Sequence, residues 1–165
     1  MIVAGSGAIG SELACFYNAM GCKVTLVEFM PNVLPVEDEE VSRQVARSMK
    51  KAGIEVMVKS SVEKVETAGK GVKVEIKNKK GEIETHEAEI VFSAVGVSPN
   101  TENLGLEEAG VKTEGGKVAV DEFYRTSVPG IYAIGDIVPG QALAHVASAE
   151  AICCVEKIAG LEPSP

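Results

Sequence analysis

The residues best placed to do chemistry lie near the start of the chain: Gly5-Ser6-Gly7-Ala8-Ile9-Gly10, and then Glu28. A GxGxxG turn that follows a strand and opens a helix can cradle a diphosphate, because unpaired helix N–H groups and the helix dipole both favour negative charge there. In that reading Gly5 permits the tight turn, Gly7 lets the backbone approach a pyrophosphate, and Gly10 lets helix and strand pack closely. Glu28 follows Gly10 by 18 residues, against about 20 expected for the acid that binds an adenosine ribose. A carboxylate there accepts hydrogen bonds from ribose hydroxyls and repels a 2′-phosphate, so NAD is preferred over NADP.

Other reactive side chains point to less. Cys15, Cys22, Cys153 and Cys154 form no CxxC pair and no zinc-type Cys/His spacing, so no metal site is expected. Adjacent Cys153 and Cys154 cannot easily meet disulfide geometry on a helix, and all four read as buried, reduced thiols of a cytosolic protein. His86 lies in a polar strand and reads as a surface residue. His145 reads as a helix-start residue rather than a base, and no catalytic residue is assigned.

The elements that must position the glycine turn follow from periodicity. Ile2-Val3-Ala4 is a short apolar strand that starts as if in mid-element, which suggests a truncated beginning. From Ala8 to Met20, residues Ile9, Leu13, Phe16, Tyr17 and Met20 recur at helical spacing and predict the buried face of a helix closed by Gly21. Val24–Phe29 predicts a buried strand. A helix follows from the acidic turn 37–40 to Lys51, with Val41, Val45, Met49 and Ala52 as its apolar stripe, and then a strand at Ile54–Val58. This β-α-β-α-β order implies a parallel sheet with right-handed crossovers.

The pattern then changes: Val72, Val74 and Ile76 alternate with charged residues, the mark of a strand with one wet face. With Val62–Thr67 and Glu82–Glu87 it predicts a three-stranded antiparallel meander, after which Ile90–Val95 returns to the main sheet. The fold class is therefore α/β: a Rossmann-like parallel sheet with an inserted antiparallel meander. A second, Gly-rich and acidic region follows residue 100, with short strands at Lys117–Val120 and Ile131–Ile134. A last helix at about 143–159 carries an apolar stripe of Leu143, Val146, Ala147, Ile152, Val155 and Ile158.

Composition narrows the function classes. Sixteen Lys/Arg against twenty-four Asp/Glu give a net charge of −8 over 165 residues, which argues against nucleic acid or an anionic membrane as partner. The excess is concentrated after residue 100, where 4 basic side chains face 10 acidic ones. No apolar run reaches the roughly 18 residues of a spanning helix, and no signal peptide is read at the start.

Three segments, GSGAIGSELACFYNAMGCKVTLVE, IVFSAVGVSPNT and RTSVPGIYAIGDI…LAHVASAEAI, resemble the flavin-dependent pyridine nucleotide–disulfide oxidoreductases, in order and along essentially the whole chain. The resemblance implies that residues 1–100 form an NAD-binding domain and residues 101–165 an incomplete, returning part of an FAD-binding domain. It places Glu12 beside nicotinamide and flavin, Glu28 on the ribose, Val62 near the adenine, and Gly96 at a close approach to NAD. It also gives Asp136 of the Gly135-Asp136 pair a role on the flavin ribityl chain, although that dipeptide alone reads as a simple turn. Ala142, Leu143, Ala144 and His145 would offer N–H groups to the flavin. Val97-Ser98 departs from the family pattern of Arg followed by a polar residue.

Within the family, the LAH segment and Glu28 point to the members that oxidise dihydrolipoamide through a disulfide and FAD and pass hydride to NAD+. These imply a homodimeric parent serving 2-oxoacid dehydrogenase or glycine cleavage complexes, in the cytoplasm or in a mitochondrial matrix. The chain contains neither the family's CxxxxC nor its His-Pro and carboxyl-terminal Glu, so we expect a central fragment that is inactive by itself. Related flavin disulfide reductases and NADH oxidases share nearly all these motifs and stay open as alternatives. A non-catalytic NAD-sensing module and a flavin-free NAD dehydrogenase are further alternatives, of a different class.

Overall fold

The computed structural model describes residues 1–164, which form two compact units that divide after Gly96. In the first unit a parallel sheet is built from β1 (Ile2–Ala4), β2 (Thr25–Glu28), β3 (Glu55–Val58) and β7 (Val91–Ser93), in the order β3-β2-β1-β7. Helices α1 (Ala8–Ala19) and α2 (Glu39–Lys51) provide the crossovers. Between β3 and β7 the chain forms β4 (Ser61–Ala68), β5 (Gly71–Lys77) and β6 (Ile83–Ala88), an antiparallel sheet in the order β4-β5-β6. The expected architecture of a parallel sheet carrying a three-stranded meander is the one observed.

Each face of the parallel sheet has its own core. On one side Val3, Val24, Leu26 and Ile54 pack with Ala14 of α1 and Met49 of α2. On the other, Ile2 and Val27 pack against Val74 and Ile76, the inward half of the alternating β5 pattern. β1 and the middle of β2, Leu26 and Val27, are apolar and buried, as a strand covered on both faces requires, while the buried ends Thr25 and Glu28 are hydrogen-bonded.

Local chemistry sets the helix ends. The Asp38 carboxylate caps α2 by accepting from the N–H groups of Glu40 at 2.8 Å and Val41 at 3.3 Å. Gly21 follows α1 with φ 91°, and its N–H donates to the Asn18 carbonyl while that of Cys22 reaches Tyr17.

Two expected apolar stripes turn outward. On α1 the buried residues are Gly10, Ser11 and Ala14, while Ile9, Phe16 and Met20 are 58%, 56% and 70% exposed. The cause is the close crossing of the helix over the β1 turn: a Cβ on Gly10 would collide with the Gly5 carbonyl oxygen, so only small residues can face the sheet. On α2 the inward line runs through Ser42 and Met49, with Val45 and Ala46 half-buried and Val41 and Ala52 exposed, one residue out of phase with the expected stripe.

The second unit contains a hairpin of β8 (Thr113–Glu114) and β9 (Lys117–Val118), joined by Gly115-Gly116 with φ 57° and 80°. It also holds a 3-10 turn at Gly135–Ile137 and helix α3 (Ala144–Ile158), and Val111, Val118, Ala133 and Val138 form its core. The expected strand at Ile131–Ile134 is reduced to one antiparallel bridge between Arg125 and Tyr132, next to Tyr124, whose φ of 66° departs from extended backbone. On α3 the buried residues are Glu150, Cys153 and Cys154, whereas Leu143, Ile152, Val155 and Ile158 are exposed.

All four cysteines are free thiols, but only Cys153 and Cys154 are buried; Cys15 and Cys22 are exposed, which corrects the expectation for that pair. Among the described residues no helix is long and apolar enough to cross a membrane.

Candidate functional site

The carboxyl ends of β1, β2, β3 and β7 open onto one cleft of about 470 Å³. Crevices at this end of an open α/β sheet are where such folds bind ligands. Of the residues singled out in the sequence, Gly5, Ser6, Gly7, Glu28, Val62 and Gly96 line it together.

The floor of the cleft is a tightly tied turn. Gly5 adopts φ 95°, a conformation that disfavours other residues, and a Cβ on it would strike the Ala94 carbonyl oxygen. Gly7 behaves differently: its φ is −62°, and nothing lies within 4 Å of the position a Cβ would take. It leaves open space where the turn meets the helix. Helix α1 begins there with no side-chain cap, and the first intrahelical bond is donated by Ser11 to the Gly7 carbonyl. The N–H groups of Ala8, Ile9 and Gly10 are therefore left without helical acceptors, which makes this end a donor for anions.

Glu28 is only 6% exposed and is directed at the turn. Its Oε2 accepts from the Ser6 N–H at 2.8 Å and from the Ser6 hydroxyl at 2.6 Å, while Oε1 accepts from the Met30 N–H at 2.7 Å. Ser6 is held in turn from its other side, since its carbonyl accepts from the Ser11 hydroxyl at 2.9 Å and the Leu34 N–H at 3.0 Å. The Glu28 carbonyl accepts from the Ser60 N–H and that of Met30 from the Lys59 N–H, which fastens the strand end to the next connection.

This donor and acceptor set suits a dinucleotide. The turn offers main-chain donors and open space at Gly7 for a diphosphate, Glu28 offers a carboxylate, and the lining contains no Lys, Arg or His to pair with a 2′-phosphate.

Ala8, Ile9, Gly10 and Glu12 are not in the lining; they belong to α1, where Ala8, Ile9 and Glu12 are exposed and Gly10 is buried against the turn. The cleft also uses residues that motif reading passed over: Phe29 and Met30 after β2, Ser60 and Ser61 after β3, and Ala94 and Val95 after β7. Their common signal is position, each pair following the end of a parallel strand.

In the second unit, Asp136 is exposed in the 3-10 turn, and Ala142, Leu143, Ala144 and His145 are exposed at the start of α3, whose first turn has no side-chain cap. The Leu143 N–H donates to the Gln141 carbonyl at 2.9 Å, which leaves those of Ala144 and His145 at the helix start without helical acceptors and available to a polar ligand. The turn is anchored by Glu150, whose Oε2 accepts from the Gly135 N–H at 2.6 Å. Glu150 lies in the middle of what the sequence reads as an apolar helix, and nothing in that pattern marks it. Burial pushes the Tyr124 phenol up, with the negative charge of Glu150 adding to the effect, and burial likewise pushes the Cys154 thiol up. Among the described residues no group of His, Cys, Asp and Glu is arranged to hold a metal ion.

Comparison with known proteins places these features in a family. The model of the pyridine nucleotide-disulphide oxidoreductases matches residues 1–151. The dihydrolipoyl dehydrogenase of Chlorobaculum tepidum is 48% identical over the whole chain, which spans 35% of that protein. That of Rhizobium etli is 46% identical over 98% of the chain, or 34% of its own length. The crystal structure of LpdA from Mycobacterium tuberculosis superposes with a TM-score of 0.88 at 33% identity, covering 99% of this chain and 35% of LpdA. The chain thus spans about a third of the length of the curated relatives it matches. With a family model matched along most of its length, the chain belongs to the pyridine nucleotide-disulphide oxidoreductases.

Proposed function

We propose that the chain is the nicotinamide-nucleotide side of a dihydrolipoyl dehydrogenase: residues 1–100 the NAD-binding domain, residues 101–165 the returning, incomplete part of the FAD-binding domain. Bound FAD and NAD would supply the electron chemistry that connects a dihydrolipoamide-reduced disulfide to NAD+. The chain's own part is to bind, orient and exclude water. The turn Gly5–Gly10 and the uncapped start of α1 hold the diphosphate, and Glu28 accepts from the adenosine ribose. Val62 and Gly96 lie along the nucleotide, and Glu12 is the residue assigned beside the nicotinamide. Asp136 and the N–H groups of 142–145 contribute to the flavin.

The observation that carries this reading is Glu28, buried at the lip of the glycine turn with its carboxylate turned into the cleft. A surface acid would point to solvent; this one is held where a ribose hydroxyl would reach it. The relatives' names add the substrate class. A homodimeric parent serving 2-oxoacid dehydrogenase or glycine cleavage complexes, in the cytoplasm or a mitochondrial matrix, belongs to the same proposal. Without a redox disulfide of its own, the 165-residue chain should bind nucleotide without turning over lipoamide.

Calorimetric titration of the purified chain with NAD+ and NADP+ tests the reading. It should bind NAD+ and prefer it at least about tenfold, the scale of one lost charged contact. Equal affinities, or no binding of either, would refute it.

A further inference from the structure

We propose that the hydroxyl of Ser6 is a positioning group for Glu28 and thereby sets the preference of the cleft for an unphosphorylated adenosine ribose; the inference rests on the dinucleotide reading above. Ser6 is fully buried, and it contacts Glu28 twice, through its main-chain N–H and through its hydroxyl, both on Oε2. Only the hydroxyl depends on the residue being Ser, since any other side chain but proline's would leave the N–H in place.

The geometry explains why a second bond on the same oxygen matters. The Ser6 N–H and the Met30 N–H hold one carboxylate oxygen each, and the Ser6 hydroxyl, at 2.6 Å the shortest of the three, adds a second donor on Oε2 that restricts the carboxylate's rotation. Ser6 can serve as a fixed post because its carbonyl is held by Ser11 and Leu34. A carboxylate has room for about four hydrogen bonds, so one acceptor position is left over. That position suits one ribose hydroxyl, which can donate, and rejects a 2′-phosphate, which cannot.

Rejection requires the carboxylate to stay where it is. A pinned anion facing a second anion, in a cleft with no basic side chain in its lining, is a repulsive device. With the Ser6 hydroxyl removed, Glu28 can swing toward solvent past the exposed Phe29 and Met30, and the repulsion falls. Ser6 therefore acts on the ratio between nucleotides more than on either alone.

The test is the ratio of NADH to NADPH affinity, read by nucleotide fluorescence on the purified 165-residue chain, for the unmodified protein, Ser6→Ala, Glu28→Gln and the double variant. Ser6→Ala should lower the ratio about fivefold, consistent with loosening one of three charge-assisted bonds. In the Glu28→Gln background, where no carboxylate is left to be held, adding Ser6→Ala should leave the ratio unchanged. Should Ser6→Ala fail to fold, Ser6→Gly keeps the main-chain donor and serves instead. Equal weakening of both nucleotides, or an unmoved ratio, would overturn the positioning role while leaving the dinucleotide site intact. An unmodified chain that binds neither nucleotide would remove the underlying reading, and this inference with it.

Discussion

Replacing Glu28 should cost stability as well as selectivity, and the two substitutions Glu28→Ala and Glu28→Gln separate the contributions. Glu28 accepts three hydrogen bonds of 2.6 to 2.8 Å while only 6% exposed. Glu28→Ala strands the Ser6 N–H in a fully buried position, at about 1 to 2 kcal/mol for an unsatisfied donor. The Ser6 hydroxyl can rotate to another acceptor and the Met30 N–H lies near solvent, so these two together add about 1 kcal/mol. One buried methylene, Cγ, is also removed, at about 0.8 kcal/mol. The expected loss is thus about 3 kcal/mol. Glu28→Gln keeps the methylenes and one carbonyl oxygen, which can accept from both Ser6 donors, but its amide then faces the Met30 N–H. It should cost about 2 kcal/mol, from lost charge assistance and one lost bond. With a urea slope of about 2 kcal/mol/M, the midpoints should fall by about 1.5 M and 1 M respectively. Urea titration followed by far-ultraviolet circular dichroism reads both. A Glu28→Ala midpoint within about 0.3 M of the unmodified protein would show that the network does not hold the turn. Equal losses for the two variants would show that methylene packing and the second oxygen count for nothing.

The glycines of the turn should separate folding from binding. Gly10→Ala places a Cβ against the Gly5 carbonyl and should lower thermal stability by about 2 to 3 kcal/mol whether or not nucleotide is present. Gly7→Val meets nothing within 4 Å at its Cβ and has an ordinary φ, so it should melt like the unmodified chain yet lose NAD+ binding by calorimetry. A Gly7→Val protein that still binds would place the diphosphate elsewhere. Alkylation followed by mass spectrometry at about pH 8 should label exposed Cys15 and Cys22 before buried Cys153 and Cys154. Cys154 should lag furthest, because burial raises its pKa and keeps it in the unreactive thiol form to a higher pH. Rapid labelling of Cys154 in the folded chain would contradict its burial.

Particular residues show how legible the molecule was. The β1–α1–β2 order, the meander and the return of β7 could all be read in advance, because each rests on short-range periodicity: apolar runs for buried strands, alternation for β5, and Gly or an acidic turn at helix ends. Part of the cleft was legible for the same reason, since Gly5, Gly7 and Glu28 announce themselves by spacing. The larger part was not. Phe29, Ser60 and Val95 are unremarkable in type and enter the cleft only because the ends of neighbouring strands converge there.

The sequence by itself determined the strands and helices of the first unit, and that a glycine turn would be followed by an acid eighteen residues past its last glycine. It could not determine which way the helices face. Periodicity locates a stripe, but the distance between helix and strand selects the stripe that packs. At α1 that distance is so short at Gly10 that small residues face inward and the larger apolar ones outward. At α3 the inward face carries Glu150, whose carboxylate is required by a main-chain N–H far away in sequence. Close approach and buried hydrogen bonding are properties of two segments at once, so only the tertiary structure decides them.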